Sequence, residues 1–547
     1  MPITSCLGRT PFALRSSWAA SLWLIAGASV TACEPARASD ITPDSIPAPQ
    51  ASSSSKLSSV LPAETRARAT AVASSASLGS VHYAERTLPT DVPRVYAKTR
   101  NVWVRPEPNT SKPWIGLLWF GGSVELKDPR PIPGKGCGGP WYAIEPRGYV
   151  CVDDKRATLN ADDTILRALI PFTPDTTLPE PHPHYGESLG TVRYAELPDK
   201  QTMLRRELPL ASEPDLLRAF LRETVRPSSS SSEAWPASLP VNLQEEHDSL
   251  VKGSAIAWTR EVEHLGRSFL QTDDLEWIAK DRVVPLPPID FEGVHLGQEA
   301  RMPLAFFKRA RVPSFVRDQG GNFRPAARQY ARHSWVNLTS VHAIDQGTEL
   351  LETINGDWVL AHDAVVPEPR SETPWGAPVF GTDETGNAPA GRATWIQVSI
   401  RGGWLIAYEG TKPVFTTLVS PGRGGPPHGS RPLGSTASTP VGWFKITGKF
   451  ATATMIAPDH MVHSAVPWAQ NFIGPYSLHA AYWHDGWGYP KSSGCINLSP
   501  KDSFFLFGFT EPQLPKGWHG VRWQPELGPA TAVIVDAGPW RPAENEE

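Results

Sequence analysis

Trp395-Ile396-Gln397-Val398-Ser399-Ile400-Arg401-Gly402-Gly403-Trp404-Leu405-Ile406-Ala407-Tyr408 is the stretch that decides the fold. Two runs rich in aromatic and β-branched residues flank Arg-Gly-Gly, the composition of two strands joined by a tight turn. Val414-Phe415-Thr416-Thr417-Leu418-Val419-Ser420 reads as a third strand. A Gly/Pro/Ser loop then leads to Thr439-Pro440-Val441-Gly442-Trp443-Phe444-Lys445-Ile446, where Pro fixes one turn and Gly permits another before a further strand. A sheet is expected from about residue 394 onward.

Downstream of that sheet lies Ser492-Ser493-Gly494-Cys495-Ile496-Asn497, and Cys495 follows His479 by 16 residues. An unperturbed thiol has a pKa of about 8.5 and is mostly protonated at neutral pH, so a nucleophilic cysteine needs a neighbouring base or positive charge. His479 is the candidate base. Gly494 allows a tight backbone turn, and N–H groups around Gly494 and Cys495 are candidate donors to a carbonyl oxygen under attack. The chemistry this pairing suggests is acyl transfer through a thioester.

The strand pair, the Thr-Pro-x-Gly-x-Phe-x-Ile stretch, the histidine and the Ser-x-Gly-Cys-Ile-Asn stretch, in that order, resemble the L,D-transpeptidase catalytic domain over roughly Thr394 to Arg522. The resemblance implies a mostly β, sandwich-like catalytic domain with few short helices, and peptidoglycan stem peptides as substrates. It implies Cys495 as nucleophile, His479 as general base and then acid, and Gly494 in the oxyanion-stabilising loop, with no metal or organic cofactor. Ser492, Ser493 and Asn497 are expected to position that loop. Tyr482, Trp483, Trp487 and Tyr489 are expected either to line the acyl-donor groove or to pack a lid loop. Two departures stand out: Ser493 replaces the histidine the family usually has before Gly-Cys, and Ala480 follows His479 where glycine is common. A hydrolase releasing the acyl group to water, and an inactive wall-binding protein, remain the alternatives. His460, His463, His484 and Asp485 could be read as zinc ligands, but they lack the helical spacing such a site prefers, so no metal is expected.

Four other cysteines have separate explanations. Arg9 and Arg15 precede an apolar run from Trp18 to Ala32, which reads as a secretory signal too short to span a bilayer. Val30-Thr31-Ala32-Cys33 resembles a bacterial lipobox, which implies lipidation of Cys33, loss of Cys6 and attachment to a membrane facing the periplasm. Export permits disulfides, and Cys137 and Cys151 flank a segment that reads as a hairpin, so they are expected to pair. Cys495 is then the one free thiol. Residues 34–90 form a Ser/Ala/Pro-rich tether with too few large apolar residues to offset ordering entropy.

Length and composition favour a multidomain, mostly β protein. The chain has 547 residues, 56 prolines, 44 glycines and 21 tryptophans, which suit short strands and turns. A net charge of −4 argues against nucleic acid as a partner, and a monomer is expected. A repeat recurs at Trp141-Tyr142-Ala143-Ile144, Glu276-Trp277-Ile278-Ala279 and Asp357-Trp358-Val359-Leu360, each leading through a turn to a short apolar strand. The first copy, with Val102-Trp103-Val104-Arg105-Pro106, resembles bacterial SH3-like domains, small β-barrels often found beside wall enzymes. The expected organisation is therefore a signal peptide (1–33), the tether, SH3-like modules at 91–160, 175–290 and 300–370, a catalytic domain at 394–525 and a tail at 526–547. The second module includes a helical insertion over Glu213–Val225. Segments around Pro285-Leu286-Pro287-Pro288 and from Pro367 to Pro378 read as connectors.

Overall fold

The computed structural model describes residues 29–31, 88–210, 249–427, 435–457 and 460–538. Cys33, nearly all of the tether and the helix expected over Glu213–Val225 lie outside them. The described protein is mostly β and multidomain, and its longest helix is the ten-residue Pro500–Phe509.

At the centre stands a six-stranded sheet. In spatial order it runs Val294–His295, Lys412–Leu418, Trp404–Glu409, Thr394–Ser399, Ala532–Asp536 and Gly442–Lys445. Thr394–Ser399 pairs antiparallel with Trp404–Glu409 across the Arg-Gly-Gly turn. Strand alternation divides its side chains between two cores. Ile396 and Val398 pack with Leu405, Leu478, Ile496 and Leu506 on one face, while Trp395 joins Trp404, Tyr408, Phe291 and Phe306 on the other. The cross-strand partners Trp395 and Tyr408 stack with ring centres 3.7 Å apart. Burying a side chain of this size contributes about 3 kcal/mol.

Ala532–Asp536 corrects the boundary drawn from the sequence. Residues 526–547 are not simply a tail, because Val533, Ile534 and Val535 form a buried interior strand, parallel to Thr394–Ser399 and antiparallel to Gly442–Lys445. The alternative, an unpaired apolar run, would leave both the backbone groups and the side chains of the neighbouring strands without partners.

A second layer consists of Gly448–Ile456, Val462–Ile473, Tyr476–Ala480 and Ile496–Leu498. Helix Pro500–Phe509 packs against it, with proline at its first turn and the Ser499 hydroxyl accepting from Asp502 N–H at 3.1 Å. Buried Lys449 donates to the Thr510 carbonyl at 2.9 Å and to that of Phe507, satisfying acceptors at the helix C-terminus. Burial lowers the Lys449 ammonium to about 7.

This layer continues into the preceding segments, so sheet bonding crosses the domain boundaries drawn from the sequence. Gly520–Arg522 pairs with Gly116–Leu118, and Ala255 of Ala255–His264 pairs with His463. Leu117, Phe120, Phe172 and Leu275 from those segments share one core with Phe450, Met455 and Val466. The Pro367–Pro378 connector is also pinned: Gln397 accepts from Arg370 N–H and donates to the Glu368 carbonyl, each at 3.2 Å. In the last two copies of the tryptophan repeat, Trp277–Ala279 and Trp358–Leu360 lead through a 3₁₀ turn to a short strand. Cys137 and Cys151 are disulfide-bonded, with Cα atoms 5.8 Å apart.

A buried ionic cluster sits at the junction. Arg100 pairs with Asp274 and donates to the Asp273 carbonyl at 2.7 Å. Arg193 lies 3.2 Å from Asp274 and also pairs with Glu276. Three carboxylates face two guanidinium groups. Burial pushes Asp273 and Glu276 above the usual carboxylate range, while Arg100 and Arg193 hold Asp274 below it despite its own burial.

Candidate active site

Cys495 lies immediately before the strand Ile496–Leu498, which pairs in parallel with Tyr476–Ala480. Leu478, His479 and Ala480 face Ile496, Asn497 and Leu498 in register. With side chains alternating between faces, Ser477 and His479 share a face with Cys495 and Asn497. The Ser477 hydroxyl confirms the placement at 3.9 Å from the thiol sulfur. Cys495 Sγ is 3.9 Å from the Pro475 carbonyl, and the residue is 5% exposed.

The orientation of His479 follows from a proton count. Its Nδ1 is 2.9 Å from the Ala480 carbonyl oxygen, which can only accept, so Nδ1 carries the hydrogen. In the neutral ring Nε2 then holds the lone pair, as a base requires. Ala480 therefore contributes its backbone, and the methyl group it adds relative to glycine leaves that contact intact. The half-buried Trp483 stacks with two imidazoles, that of His479 at 5.9 Å and that of His463 at 4.1 Å between ring centres. Burial lowers His463 to about 3, with His479 and His484 adding to the effect.

The loop before the thiol is fastened by its own hydroxyl. Ser492 Oγ donates to the Cys495 carbonyl at 2.5 Å and accepts from Gly494 N–H at 3.0 Å. Gly494 has φ of +126°, a conformation that a side chain disfavours. The Gly494 N–H is thus bonded within the loop, and the glycine's φ makes the turn before the thiol. Ser493 receives a bond from the Arg423 guanidinium at 3.2 Å, and Arg423 N–H donates to the Ser492 carbonyl at 2.8 Å. Ser420 and Gly422 form bridges with Asn497 and Ser492.

The aromatic residues expected over the thiol separate into two groups. Tyr482 is buried, donates to the Ser464 carbonyl at 2.5 Å and packs on Tyr185 with ring centres 4.1 Å apart. Trp487 is fully buried among Phe291, Trp404 and Tyr408. Neither lines a groove: both hold the 481–491 loop to the core. Trp483 and Tyr489 are half-buried, and the Lys308 ammonium lies 4.4 Å from the Tyr489 ring centre. Gly403 explains the close seating of this loop, since a Cβ there would meet the Gly488 carbonyl oxygen at 2.4 Å.

His484 joins the loop to the strand after the thiol. Its Nδ1 accepts from Gly486 N–H at 3.2 Å, so Nε2 carries the proton and meets the side-chain amide of Asn497 at 3.0 Å. That protonation selects the amide oxygen of Asn497 as its partner. Burial lowers His484 to about 3, keeping the ring neutral. Among the described residues, no three or more His, Cys, Asp or Glu side chains are placed so that they could hold a metal ion. Sequence reading missed Ser477, Arg423 and the neighbour role of His463. Period-two alternation from His479 could have found Ser477; the other two come from distant elements and carry no local signal.

Residues 393–535 match the family model for YkuD, the L,D-transpeptidase catalytic domain. Among solved structures, an Enterococcus faecium L,D-transpeptidase variant is similar at 22% identity, over 26% of this chain and 49% of that one, with TM-score 0.19. An L,D-transpeptidase from Stackebrandtia nassauensis gives 23% identity over 27% and 57%, with TM-score 0.18. One from Mycobacterium tuberculosis gives 16% over 42% and 79%, with TM-score 0.20. This chain thus spans about half the length of the first of these relatives. No curated protein matches it. Residues 393–535 of this chain are a YkuD-family L,D-transpeptidase catalytic domain.

Proposed function

We propose that the protein is a cell-wall L,D-transpeptidase that uses Cys495 as nucleophile. The supporting observation is a thiol and a tautomer-fixed His479 on one face of a parallel strand pair, within the region matching the family. In the first step, Cys495 passes its proton to His479 Nε2 and its sulfur attacks the carbonyl of an L,D-centred bond in a tetrapeptide stem. His479 returns the proton to the departing amine of the terminal D-alanine, and a thioester remains. In the second, an acceptor amine attacks the thioester carbonyl and the sulfur leaves with a proton. The products are a new amide and the regenerated thiol. Neither step requires a metal or an organic cofactor.

The disulfide at Cys137–Cys151 supports an oxidising compartment, in keeping with export to the cell envelope. No described helix is long and apolar enough to cross a membrane. Lipid attachment through Cys33 remains part of the proposal. We further propose that the segments before residue 393 space and dock the catalytic domain, a role supported by the strands and cores they share with it.

Intact mass after exposure to a carbapenem tests the reading. One adduct on the parent protein and none on Cys495→Ala is expected. An unmodified parent that remains folded would overturn the assignment.

A further inference from the structure

Residues 420–424 run beside the thiol loop and are laced to it through the backbone. Ser420 N–H donates to the Asn497 carbonyl at 2.9 Å and Asn497 N–H returns a bond to the Ser420 carbonyl at 3.0 Å. The Pro421 carbonyl accepts from Ser492 N–H at 3.1 Å, and Arg423 N–H donates to the Ser492 carbonyl at 2.8 Å. Gly422 makes this approach possible, because a Cβ there would stand 2.9 Å from Gly494 Cα and 2.2 Å from the Ala437 carbonyl oxygen. The Thr439 hydroxyl accepts from Gly422 N–H at 2.8 Å, and Gly424 N–H donates to the Ala437 carbonyl at 2.9 Å. The backbone on both sides of Arg423 is therefore fixed relative to the loop that carries Cys495.

The side chain is anchored at one corner and otherwise open. The guanidinium of exposed Arg423 donates through Nη2 to Ser493 Oγ at 3.2 Å and reaches the Lys491 carbonyl through Nη1 at 3.4 Å. It has more N–H donors than these contacts use. Among the described residues it meets no carboxylate: Asp485, the one acid of the 481–491 loop, lies 3.5 Å from Arg332 instead. The charge is felt on the imidazole side of the site, where Arg423 adds to burial, His479 and His484 in lowering His463.

The chemistry of a stem peptide brings a carboxylate to this neighbourhood. Ser493 and Cys495 are separated by one residue, so their Cα atoms lie within about 7 Å of each other. In a tetrapeptide stem the carboxylate of the terminal D-alanine sits across the scissile amide from the carbonyl carbon under attack, within about 4 Å of it. A guanidinium is the side-chain group best matched to a carboxylate, because its planar fork can donate two parallel, charge-assisted bonds.

We propose that Arg423 is a specificity residue that binds a carboxylate of the donor stem peptide, with Ser493 as the residue that positions it; the inference rests on the transpeptidase reading above. Such a carboxylate occurs both on the terminal D-alanine and on the side chain of a diamino diacid preceding it. The D-alanine group lies nearer the bond that breaks. Binding it admits a tetrapeptide and disfavours a stem with a further residue, in which that carboxylate has become an uncharged amide. Arg423 transfers no proton: D-alanine departs with its carboxylate intact and its amine protonated by His479.

Release of the terminal residue from synthetic stem peptides by the full chain tests this. The substrates are a tetrapeptide, its C-terminal amide, and the tetrapeptide with the side-chain carboxylate of its diamino diacid amidated. In the parent, kcat/KM is expected to fall about 10–100-fold on C-terminal amidation, chiefly through KM, as loss of a contact made equally in the ground and transition states requires. In Arg423→Gln the ratio of acid to amide should be close to unity, and in Arg423→Lys intermediate. Each ratio is taken within one protein, so it is independent of the fraction folded. A fall on side-chain amidation alone, again abolished by Arg423→Gln, assigns the diamino diacid as the source of the carboxylate. Indifference of the parent to both amidations, a preference for the acid that survives Arg423→Gln, or no release by a parent that takes the carbapenem adduct overturns the inference. A parent that takes no adduct instead defeats the transpeptidase reading, and this inference with it.

Discussion

Around Cys495 the buried polar groups are neutral and short-range: hydroxyls of Ser477 and Ser492, the Asn497 amide, and imidazoles such as His463 and His484 that burial keeps unprotonated. At the module junction, buried polarity is ionic: Arg100 and Arg193 hold Asp274 charged, beside Asp273 and Glu276, which burial pushes toward their protonated forms. A neutral surround carries little of the desolvation cost of buried charge. A charged junction supplies specificity of docking at a large desolvation cost, so any loss of balance there is felt in stability.

Breaking each side should therefore produce a different failure. The largest effect is expected at the thiol: His479→Gln should slow carbapenem acylation by about 10²–10⁴-fold, with an unchanged urea midpoint. Parental acylation by that variant would remove His479 as the base. Next, Arg193→Met leaves Asp274 and Glu276 buried beside a single remaining guanidinium and should cost about 3–5 kcal/mol, measured by urea unfolding. Its acylation rate while folded should match the parent's.

The junction should also have a pH signature. The raised folded-state pKa of Glu276 means that the native protein holds a proton the unfolded chain releases. That contribution is fully present below the unfolded value of about 4.3 and is lost as pH rises through the folded value of about 8. Urea midpoints at pH 5.5, 7 and 9 should therefore decline less steeply in Glu276→Gln than in the parent; parallel curves would contradict the assignment. The smallest effect is expected at Ser493→His, which exchanges one exposed hydrogen bond from Arg423 and should alter acylation by less than about tenfold. A larger loss would mean that the serine does more than position the loop.

The strands at 394–399, 404–409 and 412–418 were legible because their patterning and turn are local, and the loop at Ser492–Asn497 because its residue types are specific to its chemistry. The strand Ala532–Asp536 was legible in principle, since Ala-Val-Ile-Val-Asp is a strong strand pattern; its distance from the motifs led to its assignment as a tail. Tyr482 and Trp487 show a harder limit. An aromatic-rich loop has the same composition whether it covers a groove or anchors itself, and only Tyr185 and Phe291, hundreds of residues earlier, decide the matter. The ionic cluster is likewise invisible locally, because Arg100, Arg193 and Asp274 are each ordinary surface residues until the chain brings them together.

The hydrogen bonding between Gly520–Arg522 and Gly116–Leu118 has a practical corollary. A fragment cut to residues 393–535 would present a bare ladder of donors and acceptors beside a greasy face comprising Phe450, Met455 and Val466, the combination that invites self-association. Poor solubility of such a fragment would reflect the missing neighbours, and restoring residues from 88 onward should cure it.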